Sequence, residues 1–185
     1  MRDMARRIFT RIRHPFSRWE RLYANGNNPW EFDAESELWR IAETNRIILK
    51  NIGRVSRLLE IGSAEGHQTA HLFEVADTVH GIDPSKIACE RATQRVPQAT
   101  FSVGVFPHVT IDGHYDLAAC FETIYYVPTQ DIPRAIAMME RVADKRIVSV
   151  YYKHKRFIEQ YIYPRALGRE TIYWDGNPRW YVAWW

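Results

Sequence analysis

The chain has 185 residues, 46% of them apolar and 25% charged, the make-up of one globular domain. A chain this long buries a core without disulfides or metals. Its two cysteines, Cys89 and Cys120, form no CxxC, which fits a reducing, cytoplasmic setting, and no apolar run approaches the ~18 residues of a membrane span.

The net charge of +3 is unevenly placed. Residues 1–21 hold seven arginines against Asp3 and Glu20, a net +5, so the rest of the chain is about −2. Ile8, Ile12, Phe16 and Trp19 recur at helical spacing within this arm, interrupted by Pro15, and predict a short amphipathic basic helix. No apolar stretch follows the basic residues, so the arm is not a secretory signal. Two roles are open to such a helix: packing its stripe on the domain, or peripheral contact with a membrane surface or another anionic partner. We divide the chain into an arm, 1–22, and a single domain, 23–185, and expect the domain to fold without the arm.

Asn25–Pro29 has loop chemistry. Asp33 is placed to cap a helix with Leu38, Ile41, Ala42, Ile48, Leu49 and Ile52 on its buried face, Lys50 in its last turn and Gly53 as its stop. From residue 57 the pattern alternates. Short apolar runs at about 57–61, 78–82, 99–103, 116–121 and 146–152 resemble buried parallel strands. Helical patterns lie between most of them, at about 66–75, 85–95 and 131–143, but Gly104–Tyr115 is too short for a helix of any size. After the fifth strand a helix ends before Pro164, and two strands flank the turn Asp175-Gly176-Asn177-Pro178. The order predicts an α/β protein: a Rossmann-like open sheet, mostly parallel with an antiparallel C-terminal hairpin, with helices on both faces.

In such a sheet, ligands lie outside the carboxyl ends of the strands, at the switch point beside the first one. There Gly62 and Gly66 let the backbone approach a ligand, and the next helix N-terminus offers N–H groups. The stretch continues into neither G-x-G-x-x-G nor a Gly-Lys-Ser/Thr phosphate loop. Asp83 ends the second strand, 21 residues beyond Gly62, where a carboxylate accepts both hydrogen bonds of a ribose diol. Glu60 at the end of the first strand would repel a pyrophosphate but suits a cationic group. A ribose with a cation and no phosphate describes S-adenosylmethionine better than NAD, FAD or ATP. No HxE, HExxH or CxxC arrangement indicates a metal.

"LLEIGSAEG", "VHGIDPS", "FSVGVFP" and "YDLAACFETIYYV" resemble motifs I to IV of the class I S-adenosylmethionine-dependent methyltransferases. Together with "NPWEF" ahead of the first domain helix, they resemble the small NodS-like branch, which methylates sugar derivatives. The resemblance spans roughly residues 23–152. It implies cofactor contacts at Trp30, Glu60, Gly62, Ser63, Ala64, Gly66, Asp83, Pro84, Val105, Phe106, Phe121, Glu122 and Tyr126, and it implies that the segment holding Trp30 folds over the cofactor. The family's third glycine is replaced by Ala64, whose turn is tolerated if φ stays negative. Its acid after the third strand is replaced by Val105, leaving adenine to backbone groups and to packing by Val105 and Phe106.

Methyl transfer to oxygen needs a proton removed, and transfer to nitrogen needs a neutral amine. Glu122, His154 and His67 are the candidate catalytic groups. The expected acceptor is a small molecule or a glycan hydroxyl or amine. Two further functions compete. The arginine arm could grip nucleic acid for a base methyltransferase, which is disfavoured because no N/D-P-P-Y/F signature is present. Ala64 and Val105 could instead mark a degenerate, non-catalytic cofactor-binding module.

Overall fold

The computed structural model describes residues 15–185. The arm residues Ile8 and Ile12, the five arginines before Pro15 and the side chain of Phe16 lie outside what it describes. Helix α1 (Pro15–Ala24) is followed by a loop and by α2 (Glu35–Asn51). Seven strands then form one sheet: β1 (Val55–Ile61), β2 (Ala76–Asp83), β3 (Thr100–Val103), β4 (Tyr115–Phe121), β5 (Ala143–Tyr151), β6 (Gly168–Trp174) and β7 (Asn177–Trp184). Helices α3 (His67–Leu72), α4 (Lys86–Arg95) and α5 (Ile132–Val142) connect parallel neighbours, and α6 (Lys155–Tyr161) leads from β5 towards the hairpin.

The strand order is β3-β2-β1-β4-β5-β7-β6. The first five strands in this order are parallel, and β7 pairs antiparallel with both β5 and β6. The fold class read from the sequence is therefore the observed one. β1 and β4 lie side by side although β2 and β3 intervene in the chain, so the order reverses at β1. That reversal places the turns leaving β1 and β4 side by side above Ile61 and Phe121, where ligands of open α/β sheets lie.

Central strands buried on both faces need continuous apolar runs, and Leu117, Ala118, Ala119 and Cys120 of β4 are all fully buried. The two faces carry separate clusters, one with Leu59, Ile61, Cys120, Ile136, Met139 and Val148, the other with Leu58, Leu72, Val79, Ile147, Trp180 and Val182. Trp180 of β7, 1% exposed, belongs to the core. A third, small cluster joins Tyr23 of α1 to Ala64 and Ala88.

Two expectations about α2 are corrected. Ala34, not Asp33, precedes its first turn, and Asp33 instead accepts a 2.7 Å hydrogen bond from Asn28 Nδ2. Leu38 and Leu49 are about half exposed, while the buried face consists of Arg40, Ile41, Thr44, Asn45, Ile47 and Ile48. The helix buries a stripe rotated towards its polar side because Arg40 and Asn45 find partners on α3 and in the turn after it: Gln68, the His71 carbonyl and Glu74.

Removing the largest fully buried side chain should be costly. Trp180→Ala should destabilise the fold by about 3–5 kcal/mol, by lost transfer energy and the cavity left behind. The measurement is the shift in urea midpoint against wild type.

Candidate functional site

The loop after β1 turns sharply. Gly62 and Gly66 have φ of +83° and +77°, and Ala64 lies between them at +49°. The expectation of a negative φ at Ala64 is thus corrected, and a non-glycine residue is held in the left-handed region. What holds it is Asp83: its Oδ2 accepts from Ala64 N at 3.0 Å and its Oδ1 from Ser85 N at 2.9 Å. One carboxylate pins the ends of β1 and β2 together, and its two oxygens keep acceptor capacity for further donors. Gly62 has a packing reason for being glycine as well. A Cβ there would overlap the Thr123 side chain, so the loop packs directly on the turn after β4. Pro84 follows Asp83, and Ser85 caps α4 by accepting from Ala88 N.

Glu60 is 2% exposed. Burial pushes its carboxyl up to about 8, against the opposing pull of a 2.5 Å hydrogen bond from Thr69 and of the Arg40 guanidinium. Burial also raises Asp83 to about 6, opposed by the two backbone N–H groups. Arg40, absent from the sequence-based set, is fully buried: its Nε bonds Glu37 Oε2 at 2.9 Å and its Nη1 bonds Gln68 Oε1 at 2.8 Å. Its Nη2 is buried without a hydrogen-bond partner, as are Ser63 Oγ, His67 Nε2 and Gln68 Nε2. Arg40 shares the buried stripe of the helix with Thr44 and Ile47 (i+4, i+7), but with Thr44 polar, apolar spacing alone does not mark it.

After Phe121, Glu122 sits at φ +54°, an uncommon backbone state for a residue with a side chain. Its Oε1 accepts from Ser149 Oγ at 2.9 Å and its Oε2 from Tyr125 OH at 3.2 Å. Burial pushes it up to about 7, with Arg40 pulling the other way. His154 stacks flat on Tyr125, with centroids 3.8 Å apart and an interplanar angle of 5°. Glu122, Tyr125 and His154 therefore form one group, and burial lowers the His154 pKa. His67 lies elsewhere, stacked on Phe32 and 3.9 Å from Glu65, with its pKa also lowered by burial.

A layer of aromatic rings covers the rim. Trp30 and Tyr126 are 5.9 Å apart, and Trp19 of α1 meets both, at 6.1 and 5.1 Å. Trp30 Nε1 donates to Tyr23 OH. Buried Glu65 fastens the loop beneath, accepting from Asn28 N at 2.6 Å and Arg91 Nη1 at 2.7 Å. Val105 and Phe106 stand at the β3 end, and Phe106 packs on the core. Among the described residues no group of three or more His, Cys, Asp or Glu could hold a metal. No helix among them is long and apolar enough to cross a membrane.

The donor set fits S-adenosylmethionine. A buried carboxylate with spare acceptors, a second buried carboxylate and an unpartnered guanidinium nitrogen answer a diol, an ammonium and a carboxylate in turn. Residues 58–146 match the family model described as "Methyltransferase domain". The fold is similar to that of the N-methyltransferase NodS from Bradyrhizobium japonicum WM9 in complex with S-adenosyl-L-homocysteine, with a TM-score of 0.76 and 22% identity over 91% of this chain and 96% of that one. It is also similar to magnesium protoporphyrin IX methyltransferase from Synechocystis PCC 6803 with bound S-adenosylmethionine, with a TM-score of 0.63 and 15% identity over 98% and 88%. No curated protein matches at a significant level. Residues 58–146 thus resemble a methyltransferase domain, and the fold is the Rossmann-like fold of class I methyltransferases. S-adenosylmethionine is the methyl donor that this domain implies.

The raised carboxyls have a consequence for stability. The folded protein holds these protons to a higher pH than the unfolded chain does. The stability they lend is complete below the ordinary carboxylate range and is lost as pH rises through about 8 for Glu60. Glu60→Gln should therefore flatten the fall in unfolding free energy between pH 5 and pH 8.5, the range chosen to span that loss. Urea titrations at several pH values check this, and an unchanged slope would place the proton elsewhere.

Proposed function

We propose that this protein transfers a methyl group from S-adenosylmethionine to a hydroxyl or amine of a small molecule or sugar. The observation that carries the reading is the convergence of Asp83, Glu60, Arg40 and Glu122 on one strand-end rim, each at least partly withdrawn from water. Two buried free cysteines fit work in a reducing, cytoplasmic setting.

When bound, S-adenosylmethionine supplies a methyl group on a positively charged sulfur, open to in-line displacement. Asp83 would accept the ribose hydroxyl hydrogens while still pinning the glycine loop through Ala64 N. Arg40 would hold a carboxylate on Nη2, and Glu60, its proton released to solvent as the ligand binds, would balance an ammonium. Ser63, Gly66 and the α3 N-terminus lend polar groups beside them. Glu122 acts on the acceptor. With its carboxyl near 7 it changes protonation state close to neutral pH, the range in which a general base is most effective. Ser149 and Tyr125 fix its two oxygens, and His154 holds the Tyr125 ring from behind. The rings of Trp19, Trp30 and Tyr126 exclude water and give a ring-shaped acceptor apolar faces to lie on.

Two substitutions separate these roles. Asp83→Asn should weaken S-adenosylhomocysteine binding by about ten-fold or more in calorimetry, since a charged acceptor becomes half a donor. Unaltered affinity would remove the ribose assignment. Glu122→Gln should lower turnover by roughly 10²-fold with little change in that affinity. The reverse pattern, weaker binding with turnover preserved at saturation, would make Glu122 a cofactor contact.

A further inference from the structure

At the β6 edge of the sheet, a cleft of about 410 Å³ opens between α6, the turn after it and the β6–β7 hairpin. That volume lies in the range of small-molecule sites. Two cations line it, each laid over a tyrosine: Arg169 sits 4.9 Å from the Tyr163 ring centroid and Lys155 5.6 Å from that of Tyr181. Their charges are balanced unequally. The Lys155 ammonium lies 3.6 Å from the Glu159 carboxylate. Glu170, the other acid in the wall, is held by Arg46 at 2.9 Å and Lys50 at 3.0 Å, and the Arg46 hydrogen bond is the main cause of its fall to about 2. No described acid lies within ion-pair distance of Arg169. Arg46 also pairs with Glu43 at 3.0 Å, so the cleft and its flank set four cations (Arg46, Lys50, Lys155, Arg169) against three acids (Glu43, Glu159, Glu170), an excess of one positive charge that falls on the Arg169 guanidinium fork. Around it stand three hydroxyl-bearing side chains, Thr171, Tyr163 and Tyr181.

From this cleft we infer a second binding site, for a hydroxyl-bearing small molecule with a single carboxylate, the chemistry of a sugar acid. One carboxylate neutralises the one excess charge and matches the planar fork of Arg169 with two parallel hydrogen bonds. The hydroxyls of Thr171, Tyr163 and Tyr181 both donate and accept, as a polyol requires. A phosphate monoester, with about −1.5 to −2 charge at pH 7, would overcompensate the cleft.

The test is calorimetric titration of the full chain with glucuronate, glucose and glucose 6-phosphate, and it reads neither methyl transfer nor cofactor binding. Glucuronate should bind saturably and neutral glucose should not. Arg169→Ala should weaken glucuronate binding by about ten-fold or more. Arg169 is exposed, so the variant should keep its fold and its affinity for S-adenosylhomocysteine, checked in the same preparation. The inference is overturned if glucuronate gives no saturable heat at millimolar concentration, if Arg169→Ala binds it as wild type does, or if glucose binds equally well. Tighter binding of glucose 6-phosphate than of glucuronate would overturn the assignment of a carboxylate.

Discussion

Asp83 is the joint on which the strand-end rim depends. Its carboxylate bridges the loop after β1 and the start of α4 through two backbone N–H groups, 2 and 19 residues away in sequence. Its bond to Ala64 N helps hold that residue at φ +49°, a state that costs of order 1 kcal/mol for an ordinary residue, together with packing by Tyr23 and Ala88 and the backbone bonds of Ser63 and Gly66. Once that loop is fixed, Gly62 can pack against Thr123, and the β1 and β4 turns become one surface. The position of Glu122, the next residue back, is therefore set partly by a carboxylate on another strand.

The same rim concentrates acid where burial opposes charge. Glu60, Asp83 and Glu122 are all raised by desolvation, and Arg40 is the buried cation whose charge lowers both Glu60 and Glu122. Arg40 is itself incompletely paired, since Glu37 and Gln68 occupy only two of its three nitrogens. Such an arrangement favours an incoming group that carries both signs of charge. An ammonium would favour the ionised form of Glu60, and a carboxylate would complete Arg40, whose Nη2 has no hydrogen-bond partner.

Much of this was legible in the sequence, because the fold is written in periodicity. The five apolar runs became β1 to β5, and the turn at Asp175 and Gly176 became the hairpin. Glu60, Gly62, Gly66 and Asp83 could be placed because strand ends and glycines mark loop positions. Arg40, Glu65, Thr123 and Ser149 were harder to read, since each acts through a partner 26 or more residues away. Local pattern has no access to such pairs. Leu38 and Leu49 misled for the complementary reason: an apolar stripe locates the buried face of a helix only when polar residues have no buried partners, and Arg40 and Asn45 have them.

Residues 15–24 show how a segment upstream of the sheet becomes part of its site. α1 has no strand to pair with, and its anchors are side chains: Glu20 accepts from Ser85 Oγ at 2.6 Å, and Tyr23 is buried against Ala64 and Ala88. Both anchors land on the Asp83 neighbourhood, on the residue that caps α4 and on the strained alanine of the glycine loop. Tyr23 OH also accepts from Trp30 Nε1, so the same helix is tied to the loop that carries Trp30. Trp19 rides on that helix and closes the ring layer over Tyr126. The Trp19 ring and the Asp83 carboxylate are thus joined through Ser85 and Ala64, so the aromatic layer and the pinned glycine loop depend on the same small set of contacts.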